Sequence, residues 1–418
     1  MTTYSDDMRD DELPENLRAA VAAWFKREAA DEFEADLDEP DESAPPDNVH
    51  NLRRLPTPFV WIDPAQLPRR QWIMGHHLIR KQVSVTLAPG GLGKSSMIVA
   101  EALAMASGKQ ILGDWVERGL RVWLWNLEDE MEELTRRILA AMQHHRITAD
   151  DIKNRLFVDS GRKRELVTAV MLRGQMILQE AVYDEIADEI KAMGIDVLTI
   201  DPFISSHQAD ENSNPQIDQI VKRWAKLADQ CNIAVELVHH TRKLGGADAS
   251  SESARGASSL LGAARSARVL NRMDPDLAEK WNCAGDGHTY FGVDRDKANL
   301  APAEKRIWRR VTGVDLPNGD QVGVVEAWDP PNAFDGLTEA DLTSVQSAMR
   351  DDPDQCRKDP RSPAWIGHLI GDVLDINMDD PAGKQRVKDL IRGWAESGAI
   401  KLTTVTDNDH KKREIYTT

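Results

Sequence analysis

The sequence predicts an α/β protein whose central sheet is mostly parallel and is flanked by helices. An apolar run at 83–87 passes through a glycine-rich loop at 88–96 directly into a helical run that is apolar from residue 97. Further short apolar runs follow, separated from one another by helical patterns, at 121–126, 156–159, 195–201 and 233–238. Strands that alternate with helices are typical of a parallel sheet, because parallel neighbours need a crossover connection.

Charge and pattern divide the 418 residues into three parts. Residues 1–50 hold 16 Asp and Glu against 4 Lys and Arg, so this arm carries −12 of the formal net charge of −18. Its one amphipathic helix, predicted over 14–34, packs on its own domain or docks on a neighbouring subunit. We expect the α/β domain at 51–330 and a small α+β domain at 331–418, where three short helices precede a hairpin.

The cysteines and the apolar runs indicate the compartment. The three cysteines are far apart and form neither a disulfide framework nor a zinc-ligand spacing, which favours a reducing environment. The N-terminus is acidic where a signal peptide would be basic, and no apolar run approaches membrane-spanning length. We therefore expect a cytoplasmic protein with no membrane partner.

The loop after the first strand has the pattern of a phosphate-binding loop, with alanine at the position of its first glycine. In a strand–loop–helix context, successive backbone N–H groups and the helix N-terminus converge on one anion. Lys94 can reach the terminal phosphates of a nucleotide, and the Ser95 hydroxyl can hold Mg²⁺. The predicted ATP-binding residues are Ala88, Gly90, Gly91, Leu92, Gly93, Lys94, Ser95 and Ser96.

Three later strand ends carry candidates for catalysis. Glu128 follows the strand at 121–126 and is a candidate for polarising the attacking water, whereas Glu130 fits the helix macrodipole. Asp201 ends the strand at 195–201, where a carboxylate can support the Mg²⁺ shell. His240 belongs to a histidine pair after 233–238, which we interpret as a sensor of the γ-phosphate rather than a core or metal-binding pair.

The motifs in this order resemble RecA-like ATPases, and more narrowly the plasmid RepA-type hexameric replicative helicases and their relatives in phages and mobile elements. The resemblance covers about 65–312 and rests on four marks: Ala-Pro-Gly-Gly-Leu-Gly-Lys-Ser, Leu-Glu-Asp at 127–129, Val-His-His at 238–240, and Lys-Ala-Asn at 297–299 followed by Ile-Trp-Arg-Arg. It implies ATP and Mg²⁺ as cofactors and a homo-oligomeric ring as the assembly.

The resemblance also implies roles for single residues. Lys94 and Ser95 bind the phosphates and Mg²⁺, Glu128 activates water, Asp201 supports the metal and His240 senses the γ-phosphate. Arg265 would be an arginine finger inserted into the neighbouring subunit's nucleotide, with Lys297 near it. Arg268 and Arg255 are the alternatives for the finger.

DNA contacts are expected at two places. The segments 203–215 and 242–256 would line a channel for single-stranded DNA, with Arg242, Lys243 and Arg255 as contacts, although Asp210 and Glu211 oppose this on the first segment. The C-terminal helices and hairpin follow a winged-helix plan, whose third helix and wing often meet DNA. The alternative is a protein–protein module. The candidate contacts there are Lys388, Arg392, Lys411 and Lys412.

The sequence thus predicts an oligomeric ATP-driven DNA helicase or translocase that acts in the replication of a plasmid, phage or mobile element. The alternative is an ATP-gated DNA-binding or helicase-loading factor that hydrolyses ATP without processive unwinding. One smaller expectation concerns the proline-rich lead-in to the domain, where Trp72 or Arg70 could stack on an adenine or simply pack.

Overall fold

A computed structural model of the chain describes residues 57–241, 258–283, 289–302, 304–406 and 412–418. The chain divides into two compact units, residues 1–68 and 69–418. In the first unit, a short 3-10 turn, Pro64–Gln66, is capped by the Asp63 carboxylate, which accepts a hydrogen bond from the Ala65 N–H at 2.9 Å. The predicted arm helix and the segment 242–256, with Arg242, Lys243 and Arg255, lie outside the described residues, and so does Lys411.

The second unit contains all the named strands and helices. The strands are β1 (Trp72–Met74), β2 (Leu78–Ile79), β3 (Val83–Pro89), β4 (Val122–Asn126), β5 (Leu156–Ser160), β6 (Ala169–Leu172), β7 (Gln175–Leu178), β8 (Val197–Asp201), β9 (Ala234–Thr241), β10 (Ser266–Arg272), β11 (Tyr290–Ala298), β12 (Ile307–Asp315), β13 (Gln321–Trp328), β14 (Lys401–Thr406) and β15 (Lys412–Thr417). The helices are α1 (Lys94–Ser107), α2 (Met131–His145), α3 (Ala149–Ile152), α4 (Glu180–Met193), α5 (Asn214–Gln230), α6 (Ser258–Ala263), α7 (Pro275–Lys280), α8 (Glu339–Asp351), α9 (Ile366–Val373) and α10 (Pro381–Glu396).

The central sheet has nine strands in the order β13-β12-β11-β10-β3-β9-β8-β4-β5. The strands from β10 to β5 pair in parallel, and β11, β12 and β13 extend the sheet with antiparallel pairs. The mostly parallel RecA-like α/β fold that the sequence predicts is confirmed. Since the carboxyl ends of parallel strands lie on the same side of a sheet, the residues that follow β3, β4, β8 and β9 lie close together there.

Helix α1 packs directly against this sheet. It is rich in alanine and long apolar residues, which favour a helix, and nearly every side chain from Met97 to Ala106 is buried. The helix ends at Gly108, which adopts φ 73° and donates its N–H to the Ala104 carbonyl at 2.8 Å. Glycine reaches this left-handed conformation without a Cβ penalty, which is why the helix ends at this residue.

The polar stretch 205–214, whose composition predicts a mobile loop, is partly buried. Phe203–Ser206 form a 3-10 turn, and the side chains of Phe203, Ser206, His207 and Ala209 are buried. The Phe203 ring contacts the rings of His207 and His239 edge-on, with centroids at 4.7 Å and 6.4 Å. One buried aromatic ring therefore anchors a segment that composition alone describes as loose.

The C-terminal helices and hairpin follow the predicted order and share their own core, which includes Trp365, Ile370, Leu390 and Trp394. The sequence missed one short strand-like contact. The Tyr416 N–H donates to the Cys356 carbonyl at 2.8 Å, and the Lys358 N–H donates to the Glu414 carbonyl at 3.1 Å. Residues 356–358 thus pair with β15 and fix the hairpin to the helices.

A buried ion cluster joins β10 to α1. The Arg268 guanidinium donates to both Glu101 carboxylate oxygens at 2.5 and 2.6 Å and to the Thr86 hydroxyl at 2.7 Å. Glu236 lies 3.8 Å from Arg268 and accepts from His77. Burial lowers the pKa of His77, and the nearby positive charge of Arg268 lowers it further. Two carboxylates therefore face one buried guanidinium.

We predict that Arg268→Met strongly destabilises the protein. Removing one partner of a buried ion pair leaves the other charge uncompensated, which costs about 3–5 kcal/mol. Urea denaturation followed by tryptophan fluorescence measures this loss. Arg272→Met is the matched control because Arg272 is exposed on the same strand, and its cost should stay within about 0.5 kcal/mol. Equal costs for the two variants would contradict the prediction.

Candidate functional site

The phosphate-binding loop connects β3 to α1 and requires glycine at two positions. Gly91 and Gly93 adopt φ of 73° and 86°, and a Cβ on Gly93 would lie 2.9 Å from Val311 Cγ2. The loop opens into a cleft of about 620 Å³. Of the predicted ATP-binding residues, Gly91, Gly93, Lys94, Ser95 and Ser96 line this cleft.

Three predicted ATP-binding residues lie beside the cleft rather than in its wall. Ala88 and Leu92 are buried in the core that includes Phe291 and Val325, and Ala88 pairs with His240 across β3 and β9. Gly90 is exposed at the turn. These residues shape the loop from behind, and the backbone N–H groups at the start of α1 remain the anion-binding groups.

Lys94 and Asp201 form a buried ion pair at the floor of the cleft. The Lys94 ammonium donates to Asp201 Oδ1, and both side chains are buried. Asp201 Oδ2 is also buried and has no hydrogen-bond partner. A buried carboxylate oxygen without a partner, beside the lysine that directly precedes Ser95, fits the small, oxygen-rich protein contribution that Mg²⁺ takes at phosphate sites. The described residues contain no group of three or more His, Cys, Asp and Glu that could hold a metal.

Glu128 is held by its backbone at the end of β4. Asn126 is buried, and its side-chain carbonyl accepts from the Glu128 N–H at 3.0 Å and the Asp129 N–H at 2.7 Å. Arg162 donates to the Glu128 carbonyl at 3.0 Å. The Glu128 carboxylate stays exposed, and its Oε2 lies 3.9 Å from His240 Nε2. The turn therefore presents a free carboxylate at the mouth of the cleft.

The two histidines of the pair occupy different environments. Burial and the Lys94 charge lower the pKa of His240, so its half-buried ring is neutral near pH 7 and can still donate one N–H to a phosphate oxygen. Burial lowers the pKa of His239 to about 4, and that ring lies against Phe203. Only His240 lines the cleft.

Sequence reasoning missed a set of residues that line the other wall of the cleft. Arg136 and Arg137 project from α2, where Arg137 contacts Asp129 at 2.9 Å and Arg136 contacts Asp320 at 2.9 Å. The tip of the β12–β13 hairpin, residues 320–323, closes the cleft. The signal available in the sequence was the Arg-Arg pair one turn after Glu132 and Glu133, at the start of a helix that follows a catalytic candidate.

Arg265 and Lys297 lie at the opposite edge of the sheet from the cleft. Arg265 is exposed and precedes Ser266, which pairs with Ser84 at the start of β3. Lys297 donates to the carbonyls of Leu261 at 2.6 Å and Gly262 at 3.0 Å, and burial together with Arg265 lowers its pKa. Pro89 lies five residue steps after Ser84 on β3, which is about 16 Å at the rise of a parallel strand.

Of the two alternative residues for the arginine finger, the structure describes only Arg268. Arg268 is only 4% exposed and is held by Glu101, so it cannot reach another subunit, and its candidacy as a finger was wrong. Arg268 lies on β10, three residues after Arg265, and the local sequence gave no sign of its burial. Arg255 lies outside the described residues. Arg265 is therefore the exposed candidate, and its role stays a prediction.

The C-terminal candidates for DNA contact share one helix face. Lys388 and Arg392 are exposed on α10 together with Lys384, at a spacing of four residues, and Lys412 is exposed at the start of β15. Arg392 pairs with Asp389 on the same helix. Arg386 instead turns inward and donates to the carbonyls of Ala333 at 2.9 Å and Asp335 at 2.6 Å.

Within the described part of the chain, none of the helices combines the length and apolar character needed to span a bilayer.

Residues 48–246 match the family model described as an AAA domain. The matched region contains the phosphate-binding loop, Glu128, Asp201 and His240, and it ends before Arg265 and Lys297. The match and the loop geometry together support a P-loop ATPase domain that binds a nucleotide and hydrolyses it.

Proposed function

We propose that this protein is an ATP-driven DNA motor, a helicase or translocase, that assembles head to tail into a ring and acts in the replication of a plasmid, phage or mobile element. The observation that carries the proposal is that the predicted site residues are divided between the two ends of the parallel strands of one sheet. The phosphate loop, Glu128, Asp201 and His240 meet at one edge, while Arg265 and Lys297 lie at the other.

This division favours a site shared between copies. Arg265 cannot reach the phosphate cleft of its own chain across the sheet, but the same edge is free to face the cleft of a second copy. A heterologous contact of this kind joins two different surfaces, so repetition closes into a ring when the rotation permits. Hexamers are the form that the resembled helicases take.

Each residue then has a role in hydrolysis. The Lys94 ammonium leaves Asp201 and binds the β- and γ-phosphates of the nucleotide. The N–H groups at the start of α1 bind the same phosphates. Bound Mg²⁺, held by Ser95 and Asp201, would neutralise the charge that develops between these phosphates. Glu128 orients and deprotonates the attacking water, and neutral His240 donates to a γ-phosphate oxygen. Arg265 of the next copy adds positive charge in the transition state, worth about 10³-fold or more.

Support for DNA as the partner comes from the C-terminal domain. Residues 331–418 hold 12 Lys and Arg against 16 Asp and Glu, a net charge of −4. In spite of that balance, Lys384, Lys388 and Arg392 form one exposed basic stripe on α10. A helix with such a stripe supplies phosphate contacts when it docks on nucleic acid.

One observation favours the alternative, an ATP-gated DNA-binding or helicase-loading factor. The segment 203–215 contains no Lys or Arg, and Phe203, Ser206, His207 and Ala209 in it are buried. Proteins that track a single strand normally line their path with positive charge. A switch that binds DNA through its C-terminal domain would need no such lining.

A strand-displacement assay tests the proposed motor. We expect the wild-type protein with ATP to displace a labelled strand, and Lys94→Ala to lose both hydrolysis and displacement because the phosphates lose their main cation. Glu128→Gln should keep nucleotide binding and slow hydrolysis by about 10²-fold or more. DNA-stimulated hydrolysis without displacement in the wild type would contradict the motor and support the loading factor.

A mixing experiment tests the finger. Arg265→Ala should bind ATP normally and lose hydrolysis, because the transition-state charge is then uncompensated. Adding Lys94→Ala protein should restore part of the activity, since its intact Arg265 can face the intact loop of the other variant. Lys226→Ala, an exposed cation on α5, is the control. Full activity of Arg265→Ala, or no rescue on mixing, would refute a finger that acts between copies.

The basic stripe is tested by the salt dependence of DNA binding. The double variant Lys388→Ala/Arg392→Ala should bind a tailed duplex more weakly. Its slope of log affinity against log salt should fall by about 2 in magnitude, because two phosphate contacts are lost. Arg350→Ala, an exposed cation on α8, should leave the slope unchanged. An unchanged slope in the double variant would favour the protein–protein interpretation of this domain.

A further inference from the structure

A second cleft, which we call the tryptophan cleft, has a different chemical character from the phosphate cleft. Its volume is about 470 Å³, and it is lined by Arg70, Gln71, Trp72, Gly75, His76, Arg80, Trp115 and Glu117. Trp115 is 50% exposed, and Trp72 contacts His76 edge-on with ring centroids at 5.2 Å. Among the described residues, no Trp, Tyr or Phe lines the phosphate cleft, so that cleft offers a nucleobase no aromatic ring on which to stack.

The tryptophan cleft lies at the same edge of the sheet as Arg265. Two consecutive residues join them: the Asn299 N–H donates to the Arg265 carbonyl at 3.4 Å, and the Leu300 carbonyl accepts from the Arg70 guanidinium at 2.9 Å. Trp115 follows α1, which runs from the phosphate loop back toward this edge. The finger candidate and the aromatic surface are therefore neighbours, on the side of the chain that the proposed assembly turns toward the next copy.

We propose that the tryptophan cleft receives the purine base of the nucleotide whose phosphates are bound by the neighbouring copy's phosphate loop. This inference rests on the head-to-tail assembly of the proposed function. Within it, one copy contributes Lys94, Glu128 and Asp201, and the next contributes Arg265 to the phosphates and the tryptophan cleft to the base. A single nucleotide then joins the two copies at both of its ends.

The cleft residues suit a flat heteroaromatic ring. The exposed face of the Trp115 indole offers stacking area, and the Arg70 guanidinium can lie over a base as well as beside it. Gln71 and Glu117 supply the donor and acceptor groups that read a base edge. Arg80 is fixed by Asp196 at 2.6 Å, and His76 is fixed by Glu304 at 2.5 Å, so the wall is formed before a ligand arrives.

The test compares ATP with inorganic tripolyphosphate as competitors for a fluorescent ATP analogue on the full-length, assembled protein. Tripolyphosphate uses the phosphate loop alone, whereas ATP also uses the base site. Trp115→Ala should weaken ATP binding by about tenfold and leave tripolyphosphate binding unchanged, since one stacking contact is lost. Leu139→Ala is the matched control, because Leu139 is also 50% exposed but lies on α2. It should alter neither affinity.

A second arm tests whether the base site acts between copies. Mixing Trp115→Ala with Lys94→Ala should restore tight ATP binding at some loops, since the Lys94→Ala chain carries an intact tryptophan cleft. Equal loss of ATP and tripolyphosphate binding in Trp115→Ala would overturn the inference, and so would the absence of rescue. Trp115→Ala could also form a smaller assembly in which each copy binds ATP as tightly as in the wild type. The cleft would then be a contact between subunits, and the inference would be overturned as well.

Failure of the proposed function is distinguishable from failure of this inference. If the wild-type protein hydrolyses ATP as a monomer at every concentration, as measured by light scattering, the shared site is wrong and the base site falls with it. If the wild type assembles and Arg265→Ala is rescued by mixing, but Trp115→Ala binds ATP as tightly as the wild type, only the base site is wrong.

Discussion

The parallel pairing of β3 with both β9 and β10 is the constraint on which the rest of the structure depends. Register aligns Ala88 with His240 on one side and Ser84 with Ser266 on the other. The first pairing places a histidine at the phosphate loop. The second places Arg265 at the far end of the same strand. The register of β3 thus places His240 at the phosphate cleft, and the length of β3 sets the distance from that cleft to Arg265.

The ion pair between Lys94 and Asp201 gives each of two buried charges a partner. Both groups are buried, and a buried charge without a partner would be costly. In the proposed function, a triphosphate would supply phosphate oxygens to Lys94 and Mg²⁺ would be held by Asp201, whose Oδ2 has no hydrogen-bond partner, so neither charge would be left alone.

The sequence was sufficient for what depends on local pattern. The glycine loop and the strands that follow it come from periodicity and turn residues. It was insufficient where tertiary contacts decide. Phe203 anchors a segment whose polar composition predicts a mobile loop, because burial of one aromatic ring outweighs the neighbouring polar residues. Arg268 is buried against Glu101, a partner 167 residues away that no local pattern reveals. Arg136 and Arg137 reach the cleft only because β13 packs across α1 and α2.

The buried cluster has a mechanical consequence for a shared site. Arg268 lies three residues after Arg265 on β10, and it is bonded to Glu101 on α1, the helix that begins with Lys94. Breaking that link costs several kcal/mol, which is comparable to the free energy available from most local rearrangements. The candidate finger Arg265 and the phosphate loop of one copy are therefore joined through a buried ion pair between β10 and α1. In the proposed shared assembly, we expect this link to carry a displacement of the phosphate loop to the surface that holds Arg265.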